Sequence, residues 1–200
     1  MSKLGYPVDD KAVMQTYSGG PFSILHPRAE DVRLLDIAES LSKIGRWTGH
    51  STFHLSVAQH SVVVSMLLEG TGYELDGLMH DAHEYITGDI GSPLKVALRH
   101  VCEGFDPIKA LAEPIQKVIA ERFGLRYPTP DAVKSADMEA LMIERKSALH
   151  PPSGVPWHVW KCPEPRNDQA MLVPMTPDQA RDSFIQTFNN LMARERKVAQ

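Results

Sequence analysis

Four side chains of the kind that bind metal ions fall within apolar, helix-like patterns of this chain. They are His60, His80, Asp81 and Asp137. An imidazole or a carboxylate is costly to bury in a dry core unless something compensates it. A divalent cation compensates both, because neutral histidine nitrogen and aspartate oxygen are direct metal ligands. If the four side chains converge on one ion, the sequence predicts a metal-dependent enzyme.

The elements that must position these residues are predicted to be helices. Apolar residues recur at three- and four-residue steps, and we predict helices over 29–44, 55–69, 73–86, from 92 onward, 107–123, 130–149 and 177–194. His60 lies on the second of these helices, His80 and Asp81 on the third, and Asp137 on the sixth. Metal sites in helical bundles are built in this way, from inward side chains of facing helices.

The expected fold class is all-α, a bundle of five to seven helices in a single domain of 200 residues. Almost no stretch alternates polar and apolar residues with period two, which argues against an extensive sheet. Residues 1–27 are rich in proline and glycine, and we expect an irregular arm with a short extended piece around 15–18. The proline-rich segment after residue 150 is expected to be irregular, with a two-stranded ribbon around 151–175 as the alternative.

Composition limits the classes of function. Apolar residues make up 42% of the chain, enough for a substantial core, and the net charge of −4 provides no basic surface for a nucleic-acid polymer. An anionic small substrate is still compatible with this charge. The two cysteines form neither a metal-type spacing nor a disulfide framework, and no apolar run reaches the length of a membrane span. We therefore expect a cytoplasmic protein, in the host cytoplasm if a phage encodes it.

The spacing of the four residues resembles the signature of the HD-domain metal-dependent phosphohydrolases. Within that family, the chain is similar to the branch that contains the YfbR-type 5′-deoxynucleotidases and the DatZ-type phage dATP triphosphohydrolases. The likeness covers about residues 16–149, and one departure is Gln59, where many relatives carry glutamate. The motifs that carry it are Arg46-Trp47, Val57-Ala58-Gln59-His60-Ser61, His80-Asp81-Ala82-His83-Glu84, Thr87-Gly88-Asp89-Ile90 and Ser92-Pro93-Leu94-Lys95.

The resemblance implies one divalent ion in the His/Asp site, which can be Co, Mn, Zn, Fe or Mg, with a further ion on the substrate phosphates as an option. It also implies that Glu84 and Asp89 act as a general acid/base pair. Glu84 follows Asp81 by three residues and His80 by four, so the three side chains should share one helix face. The alternative for Glu84 is a solvent-facing partner of a basic residue.

Three cations are candidates for binding phosphate: Arg46, Lys95 and Lys134. Arginine grips phosphate with two parallel hydrogen bonds, and lysine acts as a mobile point charge. The alternative for each is a solvated surface cation. Trp47 offers an indole face for stacking on a base, or it is a core residue. The resemblance implies that Trp47 and Pro93 contribute to the nucleoside pocket.

The function that these expectations support is hydrolysis of a deoxynucleotide. The leading expectation, which the resemblance to the DatZ-type enzymes implies, is conversion of dATP and water to deoxyadenosine and triphosphate. Three candidate cations fit either a monophosphate or a triphosphate and lean slightly toward the longer chain. The alternative within the class is a 5′-deoxynucleotidase that releases phosphate from deoxynucleoside monophosphates. The alternative from another class is a catalytically silent helical domain that binds a nucleotide or a protein partner. The resemblance also implies a homo-oligomer.

Overall fold

The computed structural model of the protein describes residues 11–151, 165–166 and 170–198. The described part of the chain is mostly helical, which confirms the expected all-α class. Two short 3-10 turns cover Ala29–Asp31 and Trp47–Gly49. The strands and helices are β1 Val13–Gln15, β2 Pro21–Ser23, α1 Leu34–Lys43, α2 Val57–Leu67, α3 Glu74–Leu78, α4 Glu84–Thr87, α5 Ser92–Val101, α6 Pro107–Phe123, α7 Asp131–Ala148 and α8 Pro177–Val198.

The predicted helix over 73–86 is two short helices in the structure, α3 and α4. Residues 79–83 between them form turns whose hydrogen bonds span three residues, from Ala82 N to Met79 O at 3.1 Å and from Glu84 N to Asp81 O at 3.0 Å. The described residues therefore contain eight α-helices rather than five to seven. His80 and Asp81 lie in this turn and not within a regular helix, so the tertiary surroundings decide where they point.

The N-terminal arm contains a small antiparallel hairpin. Strand β1 pairs with β2 so that Val13 lies opposite Ser23. The extended piece expected around 15–18 is displaced, because residues 16–20 make the turn, closed by a bond from Thr16 N to Gly20 O at 2.8 Å. The buried carboxylate of Asp36 on α1 accepts hydrogen bonds from Thr16 Oγ1 at 2.8 Å and Ser18 N at 2.7 Å. This carboxylate holds the hairpin against the helical body.

Helix α2 lies at the centre of the fold and packs against α1, α3, α7 and α8. The main core cluster joins α1, α2, α3, α6 and α8, with Ile37, Leu78, Ile119 and Phe184 fully buried. Gly77 allows α3 to approach α2 closely, since a Cβ at this position would lie 2.5 Å from Leu68 Cδ1. This packing brings the end of α3 beside the helix that carries His60.

A second, smaller cluster sets α7 against α2. Val64 of α2 and Leu68, which directly follows this helix, pack there against Val133, Ala136 and Ala140 of α7. Two of the three α7 residues are alanines, so the helices can lie close together. The contact places Asp137, which follows Ala136, next to the α2 turn that carries His60.

One expectation falls mostly outside the described residues. The alternative ribbon around 151–175 falls mostly in the two undescribed stretches 152–164 and 167–169, which include Trp157 and Trp160. Residues 170–176, which are described, lead into α8 without regular secondary structure. Among the described helices, none is long and apolar enough to cross a lipid bilayer.

Candidate metal centre

Both histidines of the predicted ligand set have one ring nitrogen fixed by an oxygen acceptor. His60 Nδ1 lies 2.6 Å from Glu144 Oε1, and His80 Nδ1 lies 2.8 Å from the Gly77 carbonyl oxygen. A carbonyl oxygen and an ionised carboxylate only accept, so each Nδ1 carries a proton and donates it. In the neutral ring, Nε2 then presents its lone pair. Histidine ligands of protein metal sites are oriented by outer hydrogen bonds of this kind.

The four predicted ligands meet at one point between α2, the 79–83 turn and α7. His60 Nε2 lies 3.1 Å from Asp137 Oδ1, His80 Nε2 lies 3.1 Å from Asp81 Oδ2, and the two Nε2 atoms are 3.4 Å apart. One ligand atom from each of the four residues lies within 4.8 Å of all the others. Two facing lone pairs beside two carboxylates require a positive charge between them. The donor set therefore fits a single cation, and these residues can hold a metal ion.

The pKa shifts of the cluster residues agree with a preference for positive charge at this point. Burial is the largest influence on His80 and lowers its pKa, but the carboxylates of Asp81 and Asp137 outweigh it and raise the pKa well above the usual value. Burial raises the pKa of Asp81, but the His80 imidazole outweighs it and keeps the pKa below the usual range. The pKa of Asp137 also lies below the usual range, because the imidazoles of His60 and His80 outweigh burial. Without a metal, His80 therefore favours its protonated form, and Asp81 and Asp137 favour their ionised forms.

Asp81 and Asp137 also line a cavity of about 490 Å³. Helix α7 contributes an apolar wall to this cavity through Met138 and Leu141, and Leu149 follows just after the helix. Sequence reasoning did not single out these three residues. The predicted residues that line the same cavity are Arg46, Trp47, Glu84, Asp89, Pro93 and Lys95.

The predicted acid/base residues lie next to the ligand cluster. Glu84, the first residue of α4, is 3% exposed, and its Oε2 has no hydrogen-bond partner among the described residues. Burial, followed by the charges of Asp81 and Asp89, raises the pKa of Glu84 well above its usual value. Asp89 follows Gly88, whose φ of 73° ends α4 and turns the chain into the cavity wall. Burial likewise raises the pKa of Asp89.

Arg46 is buried beside both the cavity and the ligand cluster. Its Nε lies 2.9 Å from Glu144 Oε1 and 3.0 Å from Glu144 Oε2, and its Nη1 lies 3.8 Å from Asp81 Oδ2. Burial lowers the pKa of Arg46, but the carboxylates of Glu144, Asp89 and Asp81 outweigh this influence and raise it. Trp47 donates its indole N–H to Glu144 Oε2 at 3.0 Å while its side chain lines the cavity.

Of the two predicted lysines, the structure brings only one to the cavity. Lys95 on α5 lines it. Lys134 lies in the first turn of α7, where its ammonium donates to Asp131 Oδ1 at 2.7 Å and its side chain is 63% exposed. Lys134 therefore does not line the cavity beside Lys95, and its contact with a phosphate chain stays a prediction.

Glu144 is a further residue of the site that the sequence prediction missed. Its side chain is 1% exposed and contacts His60, Arg46 and Trp47. The sequence does contain a signal, since Glu144 follows Asp137 by seven residues, two helical turns on the same face of α7. A glutamate that follows a buried apolar residue, two turns after a ligand on the same helix face, indicates a second acidic residue at the site.

The described fold and site define a helical protein whose partly buried His/Asp cluster can hold a metal ion. No known family model matches the chain. It is 35% identical over 178 residues to the uncharacterized protein YfdR of Escherichia coli K12, a match that covers 89% of this chain and 94% of YfdR. It is 32% identical over 146 residues to the uncharacterized protein RCAP_rcc00048 of Rhodobacter capsulatus, covering 67% and 71% of the two chains. The chain belongs to the family of YfdR.

Proposed function

We propose that this protein is a divalent-metal-dependent phosphohydrolase of the HD-domain type that acts on deoxynucleotides. The observation that carries this proposal is the position of the four-ligand cluster at the wall of a cavity that is also lined by two acids, the buried Glu84 and the half-buried Asp89, and by two cations. Phosphoryl transfer depends on positioning and charge neutralisation more than on covalent chemistry. A cavity that combines these groups meets both needs.

His60, His80, Asp81 and Asp137 hold the ion in this proposal. When bound, the ion supplies Lewis acidity toward a phosphoryl oxygen and toward a water molecule. Two imidazoles and two carboxylates suit Co²⁺, Mn²⁺, Zn²⁺, Fe²⁺ or Mg²⁺, and a six-coordinate ion keeps positions for water and substrate. A further ion carried on the substrate phosphates is compatible with the acidic residues of the cavity.

Glu84 and Asp89 form the acid/base pair of the proposed reaction. A water oxygen forms a bond to the α-phosphorus, and the bond from that phosphorus to O5′ breaks with its electron pair staying on O5′. One carboxyl group of the pair takes the proton that the water loses, and the other gives a proton to O5′. Burial raises the pKa of both carboxyl groups above the usual value, which makes each a better proton acceptor when ionised.

The remaining cavity residues bind the substrate. Arg46 and Lys95 contact phosphate oxygens, and the deoxynucleoside lies between Trp47 and Pro93 on one side and the apolar wall of α7 on the other. The leading substrate is dATP, as the family resemblance implies. The position of Lys134 outside the cavity lining leaves two of the three expected cations there, which favours a deoxynucleoside monophosphate as the second candidate.

Turnover by metal-stripped protein reloaded with Mn²⁺ or Co²⁺ tests the proposal. We expect chromatography to show deoxyadenosine and triphosphate from dATP, whereas a 5′-deoxynucleotidase releases phosphate from dAMP. The same assay is run on the other deoxynucleotides to define the preferred base. Binding of nucleotide with no turnover of any deoxynucleotide would contradict the proposal and support the silent binding domain.

Asp81→Ala is the matching test of the metal site. We expect loss of Mn²⁺ binding, measured by calorimetry, together with loss of hydrolysis, because two histidines and one carboxylate remain in a four-ligand site. Asp131→Ala is the control, since Asp131 is an exposed carboxylate at the start of α7. Retained binding and full activity in Asp81→Ala would reject the ligand assignment.

Homo-oligomer assembly remains a prediction that rests on the family resemblance. Light scattering coupled to size-exclusion chromatography measures the mass directly, and a homo-oligomer must exceed the 22.3 kDa of one chain. A single species with the mass of one chain at micromolar concentration would contradict it.

A further inference from the structure

Glu144 joins three residues of the site through one buried carboxylate. Its Oε1 lies 2.6 Å from His60 Nδ1, and its Oε2 accepts from Arg46 Nε and from Trp47 Nε1, both at 3.0 Å. The side chain is 1% exposed, so water cannot replace any of these donors. A buried carboxylate in this position is costly unless all its neighbours stay in place.

Helix α7 makes this carboxylate a rigid reference point. The helix also carries the ligand Asp137, two turns before Glu144 on the same face. Its last turn makes a further contact with the cavity loop, since Thr52 N donates to the Ala148 carbonyl oxygen at 2.7 Å. Helix α7 therefore carries one ligand and contacts the loop over 46–52 at two places, through the Glu144 carboxylate and through the Ala148 carbonyl oxygen.

The part of the loop held by Glu144 has an unfavourable backbone conformation. Trp47 has a φ of 57° and Thr48 a φ of 53°, in the left-handed region that residues other than glycine rarely occupy. Such conformations persist only where the surroundings enforce them, and they are concentrated at binding sites. The bonds from Arg46 and Trp47 to Glu144 lie directly at this segment.

We propose that Glu144 is a positioning residue that orients His60 toward the metal and, through Arg46 and Trp47, holds the substrate-binding loop in its strained conformation. This inference rests on the proposed function, since it assumes that the four-ligand cluster binds a divalent ion. It assigns Glu144 no contact with substrate. It predicts that a change at Glu144 weakens metal binding and moves the Trp47 indole, two effects that a residue of purely structural importance would not combine.

The test compares Glu144→Gln with Glu139→Gln in the full-length, metal-stripped protein. An amide at position 144 still accepts from one donor, but its NH2 group faces another donor and its charge is lost. We expect the Mn²⁺ dissociation constant from calorimetry to rise roughly 10–100-fold, the usual result of removing an outer partner of a histidine ligand. We also expect the indole N–H resonance of Trp47, assigned with Trp47→Phe, to shift.

Glu139→Gln is the matched control because Glu139 lies on the same helix and also binds an arginine, Arg166, away from the cavity. We expect its Mn²⁺ affinity to stay within about twofold of the parent protein, with the Trp47 resonance unchanged. Folding of each variant is checked by far-ultraviolet circular dichroism.

Unchanged Mn²⁺ affinity in folded Glu144→Gln, or an equal loss in Glu139→Gln, would overturn the inference. If Glu144→Gln does not fold, the double variant Arg46→Gln/Glu144→Gln removes both charges of the pair and carries the same expectation for Mn²⁺. Unchanged affinity in the double variant would overturn the inference as well. Absence of Mn²⁺ binding by the parent protein would overturn the proposed function together with this inference.

Discussion

Two glutamates on helix α7 bind arginine with similar geometry but in different surroundings. Glu139 accepts from Arg166 Nε at 2.8 Å, and Glu144 lies 2.9 Å from Arg46 Nε. The side chain of Arg166 is 69% exposed, whereas that of Arg46 is 9% exposed. The two glutamates are five residues apart and so lie on different faces of the helix. The two carboxylates are thus both largely buried, but the arginine partner is mostly exposed for Glu139 and buried for Glu144.

The Glu144 carboxylate, whose arginine partner is buried, has more side-chain partners than the Glu139 carboxylate. The Glu139 carboxylate accepts from the backbone N–H and from the guanidinium of one residue, Arg166, whose exposed charge is screened by water. The buried Glu144 carboxylate contacts His60 and Trp47 in addition to Arg46. Burial raises the pKa of Glu144, but the charges of Arg46 and His60 outweigh it and keep the pKa below the usual value. The carboxylate therefore stays ionised where the site requires a charge.

Removing the arginine of each pair should produce the largest difference. Arg46→Met leaves Glu144 buried without its cation, and we expect a loss of about 3–5 kcal/mol in the free energy of unfolding. Arg166→Met should cost about 1 kcal/mol or less, since its guanidinium is mostly in water. Urea unfolding at neutral pH measures both values. Similar losses in the two variants would show that burial does not separate the pairs.

Two lysines, one that lines the cavity and one that does not, should differ in their contribution to substrate binding. Lys95 lines the cavity, whereas Lys134 on α7 pairs with Asp131. We expect Lys95→Ala to raise KM for the preferred deoxynucleotide about tenfold, the scale of one charge-assisted hydrogen bond. Lys134→Ala should change KM by about twofold or less. Steady-state kinetics decides between them, and the opposite order would place Lys134 at the phosphate chain.

Glu84 offers a further contrast with Glu144, because it is buried and its Oε2 has no hydrogen-bond partner among the described residues. In the folded protein its pKa is raised above the unfolded value, so ionised Glu84 destabilises the native state as pH rises through the folded pKa. Glu84→Gln removes this charge, and we expect the metal-free protein to gain about 1 kcal/mol of stability. The gain should be small at acidic pH and larger at pH 8, while hydrolysis is lost.

Thermal unfolding in the presence of a chelator measures this gain across the pH range. Glu121→Gln is the control, because Glu121 is an exposed glutamate on α6. A gain that is independent of pH, or one that equals the control, would show that the Glu84 carboxylate is not the source.

Elements defined by local signals were predictable from the sequence. Helix α6 begins at Pro107 after the N-cap Asp106, whose side chain accepts from Lys109 N, and it ends at Gly124 in the left-handed conformation. The predicted bounds of 107–123 agree with the structure because these signals act within a few residues. The hairpin over 13–23 was missed, since its strands have three residues each and depend on Asp36 of α1.

The site was predictable to the extent that residue chemistry and local spacing define it. The predicted set of His60, His80, Asp81 and Asp137 does converge, and Glu84 and Asp89 lie beside it. The break between α3 and α4 was not predictable, because an apolar pattern continues through the turn that carries His80. The pairing of Lys134 with Asp131 was not predictable either, since periodicity indicates a face of the helix but not a partner.

The sequence by itself determined the helical class, the donor types and the order of the ligands along the chain, because these depend on side-chain chemistry and on contacts within a few residues. The tertiary structure alone decided which nitrogen of each histidine faces the site and which carboxylate pairs with the buried arginine. Glu144 contacts His60 across 84 residues of sequence. Only the packing of α2 against α7 creates that contact, and no local pattern encodes the distance between two helices.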